Sequence, residues 1–259
     1  MKRIVFYSGG IGSWYTAKRV IDKYGTENVI LLFSDTLIED EDLYRFLDET
    51  SNDFGMKITR IEDGRTPWEV FKDVRWLGNS RLAQCSHLLK QKTAEKWVKD
   101  NFQPDECVLY LGIDWTEEHR TKSPVKNWSP YKVEFPMCEE PYINKEEMLN
   151  ELSHKGIEIP RLYKMGFSHN NCGGMCVRAG QAHFINLLKK LPDRFEWLEH
   201  YEKEMQVYLG KDVTILNRVR NGKRENLSLE QLRIEFEQKN LEQIDLFDFG
   251  GCGCFVNYA

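Results

Sequence analysis

The chain is 259 residues long, 41% hydrophobic, 30% charged and 12% aromatic, which excludes intrinsic disorder because so much aromatic surface offsets the entropy of ordering. Its longest apolar run, residues 29–33, is far below the ~18–20 residues of a membrane helix, and the strand-like opening over 4–7 is too short for a signal-peptide core, so a cytoplasmic protein without a membrane partner is expected. The 36 Lys and Arg stand against 41 Asp and Glu, a net charge of −5, so nothing global announces nucleic acid, although a local basic face stays compatible with it.

In chain order, hydrophobic periodicity predicts a strand over 4–7 and a helix over 12–24 with Trp14, Ala17, Val20 and Ile21 on its apolar face. A strand over 29–33 precedes a helix over 39–54, whose acidic start Glu39-Asp40-Glu41-Asp42 suits the helix dipole. A strand over 57–61, helices over 67–74 and 85–101, and a strand over 108–113 follow. This alternation predicts an α/β fold, a doubly wound and mostly parallel sheet with helices on both faces. Near Tyr131 the character changes. Helices are predicted over 145–154, 175–190, 193–208 and 228–238, with a strand and a turn over 210–226. We expect a nucleotide-binding domain over 1–135 and a mainly helical, cysteine-bearing appendage over 136–259.

Ser8-Gly9-Gly10-Ile11-Gly12-Ser13 lies directly after a strand and directly before a helix. Its glycines permit tight turning, and its backbone N–H groups, the hydroxyls of Ser8 and Ser13 and the helix N-terminus can all face one anion. The plainer alternative is a Gly-rich turn without a ligand. No Gly-Lys-Ser/Thr follows, so this is not a Walker A loop.

With Ser-Gly-Gly-x-x-Ser after its first strand, the chain resembles the adenine-nucleotide α-hydrolase (PP-loop) superfamily. Within that superfamily it resembles the phosphoadenosine phosphosulfate (PAPS) reductase-like family of phage and bacterial type. Phe33-Ser34-Asp35-Thr36, followed by Glu39 and Glu41, is similar to the family's "DTG…E" region. Cys85-Ser86-His87-Leu88-Leu89-Lys90 is similar to its "CT..LK" segment, and residues 111–120, containing Gly112, Asp114 and Arg120, to its "GxRxxES" segment. The chain departs from the superfamily at Gly12, where a magnesium-holding Asp is usual, leaving Asp35 or Asp114 as substitutes. Its tail, Gly251-Cys252-Gly253-Cys254-Phe255, lacks the flanking Glu and His of the reductase nucleophile motif.

The resemblance implies ATP or a related adenine nucleotide at the Ser8–Ser13 loop, compatible with magnesium. A doubly wound sheet binds ligands outside the carboxyl ends of its strands, where Arg75, Arg81, His87, Lys90 and Arg120 fall in loop or helix-start positions. Phosphoryl and adenylyl transfer need cations where charge develops. Lys90 is the first choice for a catalytic cation, with Arg120 next and Arg81 at the nucleotide; the alternative for each is a solvated surface residue. Asp35 and Thr36 can orient a ribose hydroxyl or magnesium, and the backbone at Phe33 and Ser34 can read adenine; alternatively Asp35 caps the next helix.

Seven cysteines without an export signal are expected to be reduced, and an odd number argues against a disulfide framework. Cys172 and Cys176 flank Gly173-Gly174-Met175, and Cys252 and Cys254 flank Gly253. Two glycine-bearing pairs suit one four-thiolate site, holding zinc or a [4Fe–4S] cluster, with the family resemblance favouring iron–sulfur. Buried apolar cysteines or a redox thiol pair are the alternatives. Cys85 is a candidate thiol for sulfur chemistry, or a core residue; Cys107 and Cys138 read as structural. The resulting expectation is an ATP-cleaving PP-loop enzyme for adenylation-linked sulfur transfer, with a nucleic acid or a sulfur-donor protein as partner. The alternatives are a sulfonucleotide reductase and a catalytically silent nucleotide-binding module of a modification or defence complex.

Overall fold

The computed structural model describes residues 1–79, 82–220, 222–239, 244–248 and 250. Arg81, Cys252 and Cys254 lie outside the described residues. The first half runs β1 (Lys2–Phe6), α1 (Ile11–Tyr24), β2 (Val29–Asp35), α2 (Glu41–Phe54), β3 (Ile58–Glu62), α3 (Pro67–Asp73), a π-helical segment (Ser86–Lys92), α4 (Thr93–Asn101), β4 (Cys107–Tyr110), α5 (Lys122–Asn127) and β5 (Lys132–Glu134). Beyond it come α6 (Lys145–His154), α7 (Arg161–Lys164), α8 (Gln181–Lys190), α9 (Pro192–Leu209), the hairpin β6 (Leu216–Arg220) and β7 (Lys223–Leu227), and α10 (Leu229–Glu237).

The first five strands form one parallel sheet in the order β3-β2-β1-β4-β5. Successive side chains alternate between its faces. Val5, Leu31, Phe33, Val108 and Tyr110 pack with apolar residues of α1, α2 and α6. Ile4, Phe6, Leu32 and Leu109 pack with Ala94 and Val98 of α4 and with Trp128 and Tyr131. Both faces are covered, as a parallel sheet requires, and this is the doubly wound α/β fold that the strand–helix alternation predicts. A further core joins Trp68 and Phe71 of α3 to Phe184, Phe195, Leu198 and Leu232 of the later helices. Met148 and Leu152 of α6, meanwhile, belong to the core of the sheet.

Four elements differ from expectation. The helix predicted over 85–101 begins as a π-helical segment before α4. The helix predicted from 175 begins only at Gln181, because Cys172, Gly173 and Gly174 hold φ of 53°, 58° and 80° and turn the chain first. Asp40 stands just outside α2 as its N-cap, its side chain accepting from the Asp42 N–H at 3.0 Å. Strand β5 is only three residues long, too short for a period-two pattern to register.

The last described residues dock on α8. Gly250 bridges Ala179 in antiparallel sense. Asp248 accepts from the Gln181 N–H through its carboxylate at 3.1 Å and from the Ala182 N–H through its carbonyl at 2.9 Å. Gly180 provides no side-chain cap for α8, so Asp248 satisfies two of the N–H groups that a helix start leaves open. Among the described residues no helix is long and apolar enough to cross a membrane.

Candidate functional site

The chain leaves β1, turns through Ser8, Gly9 and Gly10, and enters α1. Ser13 Oγ donates to the Gly10 carbonyl at 2.8 Å and lies 3.4 Å from Ser8 Oγ. The Gly9 carbonyl accepts from Asn170 Nδ2 at 3.0 Å, and the Ile11 N–H donates to the Tyr163 hydroxyl at 3.1 Å. The strand order reverses between β1 and β4, and at such a point the loops diverge and leave a crevice. A cleft of about 230 Å³ opens there. Ser8, Gly10, Gly12 and Ser13 line one side, Gly112 and Asp114 the other, and Lys90, Arg120 and Lys145 reach it. Gly112 lets the two loops meet: a Cβ there would stand 3.0 Å from Thr16 Oγ1 and 3.1 Å from the Gly12 carbonyl.

The charges of the cleft come from separate elements. Lys90, on the π-helical segment, is 5% exposed, and its Nζ lies 3.5 Å from Glu39 Oε1. Glu39 also accepts from Thr36 Oγ1 at 2.9 Å and from the backbone N–H of Cys172. Arg120 is ion-paired with Glu117. Asp114 is engaged by the N–H of Thr116 at 2.8 Å and by its hydroxyl at 2.5 Å. Lys145, at the start of α6, donates to the Ser168 carbonyl at 2.8 Å and stands 4.2 Å from the Tyr163 ring centroid. Burial lowers its pKa below the ordinary lysine range.

The structure separates other candidates from this cleft. Phe33 is buried in the core of the sheet, and Ser34 pairs with Ile61 in the register of β2 and β3. Asp35 is buried and accepts from the Leu37 N–H at 2.7 Å and from the Tyr44 hydroxyl at 3.0 Å, and it pairs with Arg60 at 2.9 Å. Burial, then the neighbouring Asp35 carboxylate, raises the pKa of Tyr44. Thr36 and Cys85 line a second cavity, not the cleft. Arg75 lies over the Tyr208 ring at 5.0 Å, and His87 Nδ1 faces Gln91 Oε1 at 3.3 Å on a different hollow.

That second cavity is lined by Cys85, Cys172 and Cys176 with Thr36, Trp68, Lys90 and Arg178. Lys90 therefore borders both spaces. The Cys172 and Cys176 thiols are hydrogen-bonded, and this bond together with burial raises the Cys172 pKa. The surrounding turn is braced. Arg194 Nη1 donates to the Gly173 carbonyl at 2.6 Å and to Asp40 at 2.7 Å, and His183 Nε2 contacts the Gly174 carbonyl at 2.7 Å. Burial lowers the His183 pKa, which suits a neutral ring. Among the described residues no three His, Cys, Asp or Glu side chains converge closely enough to hold a metal ion. The chain is nevertheless described as far as Gly250 beside Ala179, three residues after Cys176 and two before Cys252.

Sequence reasoning gave Glu39 no role of its own, placing it in an acidic helix start and in the segment similar to "DTG…E", and it missed the residues that the second half brings to the cleft: Lys145, Tyr163 and Asn170. Asn170 is 1% exposed, and its Oδ1 has no hydrogen-bond partner among the described residues. The available signals were the Asn144…Glu147 capping box that places Lys145 at the start of a helix, and a polar Ser168-His169-Asn170-Asn171 cluster between helical runs.

No family model matches the chain. The chain is similar to an uncharacterized protein of Methanocaldococcus jannaschii, 22% identical over 210 residues that cover 78% of this chain and 41% of that protein. It thus spans about two fifths of the length of that curated relative. Among solved structures it is similar to the PAPS reductase of Candida auris in its phosphate complex, at a TM-score of 0.44 and 15% identity, covering 64% of this chain and 78% of that one.

Proposed function

We propose that the chain is a PP-loop enzyme that binds ATP or a related adenine nucleotide in the cleft between β1 and β4. It cleaves that nucleotide at the α-phosphate for adenylation-linked sulfur transfer to a nucleic-acid acceptor. One observation carries the reading: Lys90 lines both the cleft of the Ser8–Ser13 loop and the cavity of Cys85, Cys172 and Cys176, so nucleotide chemistry and sulfur chemistry adjoin.

The loop N–H groups and the Ser8 and Ser13 hydroxyls hold phosphate oxygens. Lys90 and Arg120 stabilise the charge that develops as pyrophosphate departs. Glu39 fixes the Lys90 ammonium, and Lys145 adds a poorly hydrated cation on the opposite wall. Asp114, on the cleft, is the carboxylate placed to meet magnesium; Asp35, committed to Tyr44 and Arg60, is not.

The contact between the Cys172 and Cys176 thiols and the docking of Gly250 beside Ala179 fit a thiolate centre that Cys252 and Cys254 would complete. Such a centre supplies sulfur binding or electron transfer as an iron–sulfur cluster, and a structural clamp as zinc.

The test is incubation of the full chain with ATP, labelled pyrophosphate and a transfer-RNA or DNA acceptor. Label is expected to enter ATP. Nucleotide binding without exchange would establish the silent module, and sulfite release from PAPS the reductase.

A further inference from the structure

The chain is acidic overall, with a net charge of −5, yet the hairpin of β6 and β7 is basic: between Asn217 and Asn226 it holds Arg218, Arg220, Lys223 and Arg224 against one carboxylate, Glu225. Leu216 and Leu227 face each other at its base and are buried in the core of the later helices. Along the same face, Arg218 Nη1 donates to both oxygens of Glu235 on α10, at 2.9 and 2.7 Å, and Arg220 acts on the same carboxylate. These contacts seat the ribbon on the body. The opposite face carries Asn217, Val219, Arg224 and Asn226, with no acidic residue among them. Val219 is 71% exposed, and Arg224 Nε donates to Asn217 Oδ1 at 2.8 Å. Next to the turn Lys223 stands opposite Arg220, a like-charged cross-strand pair that costs stability and that an anion would relieve. Glu225 is turned to Arg218 at 4.0 Å, and among the described residues no carboxylate pairs with Lys223 or Arg224.

We infer that the β6–β7 hairpin is a docking ribbon for duplex DNA, with Lys223 and Arg224 on the phosphate backbone and the outer face turned to the major groove. A phosphate backbone supplies closely spaced anions for the cations that the chain itself leaves unmatched. Two strands about 4.8 Å apart fit a B-form major groove about 12 Å wide, whereas the major groove of duplex RNA is too narrow for side chains to read. An arginine, two asparagines and an exposed valine offer hydrogen bonds and one apolar contact to base edges. The inference gives the nucleic-acid acceptor of the proposed function its docking element, and it rests on that reading only for what is done to the DNA. Docking itself needs neither ATP nor the cysteines.

The experiment is fluorescence anisotropy of a short labelled DNA duplex of mixed sequence with the full chain, without nucleotide, over a series of salt concentrations. Lys223→Gln/Arg224→Gln is compared with wild type and with Lys96→Gln/Lys99→Gln, which removes the same charge from exposed positions of α4. The ribbon variant is expected to bind roughly tenfold or more weakly, and the slope of log affinity against log salt should fall by about 2 as two phosphate contacts are lost. The α4 variant should lose about twofold at most, since distant surface charges are screened. Equal losses in the two variants, or a wild type without affinity for the duplex, would overturn the inference. So would tighter binding of an RNA duplex of the same sequence. Pyrophosphate exchange by a chain that does not bind the duplex would remove the ribbon alone, whereas duplex binding through the ribbon without exchange would remove the enzymatic reading alone.

Discussion

Lys90 and Glu39 form a buried ion pair, 3.5 Å apart, with side chains 6% and 1% exposed. The same carboxylate accepts from Thr36 and from the Cys172 N–H. One acidic side chain therefore fixes both the lysine of the Ser8–Ser13 cleft and the turn that presents the first cysteine pair. The two partners are not equivalent. Removing the lysine leaves Glu39 with two hydrogen-bond donors, whereas removing the carboxylate takes a partner at once from the buried Lys90 ammonium, the Thr36 hydroxyl and the Cys172 N–H.

Glu39→Ala is accordingly expected to destabilise the fold by about 3–5 kcal/mol, the usual effect of breaking a buried pair from one side. Lys90→Ala should destabilise less, yet lower nucleotide turnover by roughly 10²–10³-fold through lost electrostatic stabilisation. Urea denaturation and AMP release measure the two effects. Turnover of Lys90→Ala at the wild-type rate would place the lysine outside the chemistry.

Gly10→Val and Ser13→Ala should each weaken adenine-nucleotide binding while the sheet still folds. A Cβ added at Gly10 would stand 3.5 Å from the Tyr163 hydroxyl, so the further branches of valine would reach into the space beside the loop. Ser13→Ala removes one charge-assisted hydrogen bond, about 1.5–3 kcal/mol, or roughly 10- to 100-fold in affinity. Calorimetry with ATP reads both, and unchanged affinity in both variants removes the loop from the site.

The tail can be displaced by one methyl group. A Cβ on Gly180 would stand 2.0 Å from Asp248 Oδ1, so Gly180→Ala should force Asp248 off the start of α8. Metal content is then expected to fall as it does in Cys252→Ser/Cys254→Ser, while the nucleotide cleft remains. Elemental analysis decides; full metal content in both proteins would separate the tail from the cysteine turn.

Glu202 gives the fold a pH dependence. It is 1% exposed, and burial raises its pKa from 4.5 to about 7, against hydrogen bonds from the Ile215 and Leu229 N–H groups, each at 2.7 Å. The unfolded chain ionises this group first. The stability linked to its protonated form is therefore complete below about pH 4.5, and it is lost as pH rises through about 7, to a total of about 3 kcal/mol. Melting temperatures of wild type and Glu202→Gln across this range should change in relative order, the wild type losing ground as pH rises. A constant difference would show that Glu202 keeps its ordinary pKa.

Much of the fold was legible because its signals are local. Strands β1, β2 and β4 are dense apolar runs, and the loop between Ser8 and Ser13 carries its glycines in sequence. What escaped depends on long-range pairing. Glu39 looks like its acidic neighbours until Lys90, 51 positions away, comes into contact with it. Lys145 and Tyr163 lie beyond the first sheet in sequence, and α6, packed beside α1, brings Lys145 to the cleft while α7 brings Tyr163. The same holds in reverse for Asp35, whose contacts with Tyr44 and Arg60 come from residues 9 and 25 positions on and are not visible in the local pattern.

The π-helical segment between Ser86 and Lys92 sets a limit on how this gene can change length. A π turn is an α-helix holding one residue too many. Loss of a single codon there would let the backbone relax into a regular helix continuous with α4. The wide turn had absorbed that residue, so its loss leaves the flanks in phase, whereas a second codon lost would rotate everything before it by about 100° relative to everything after it. A one-codon deletion is expected to leave Cys85 and Lys90 on one face, and a two-codon deletion to turn them apart in a protein that still folds.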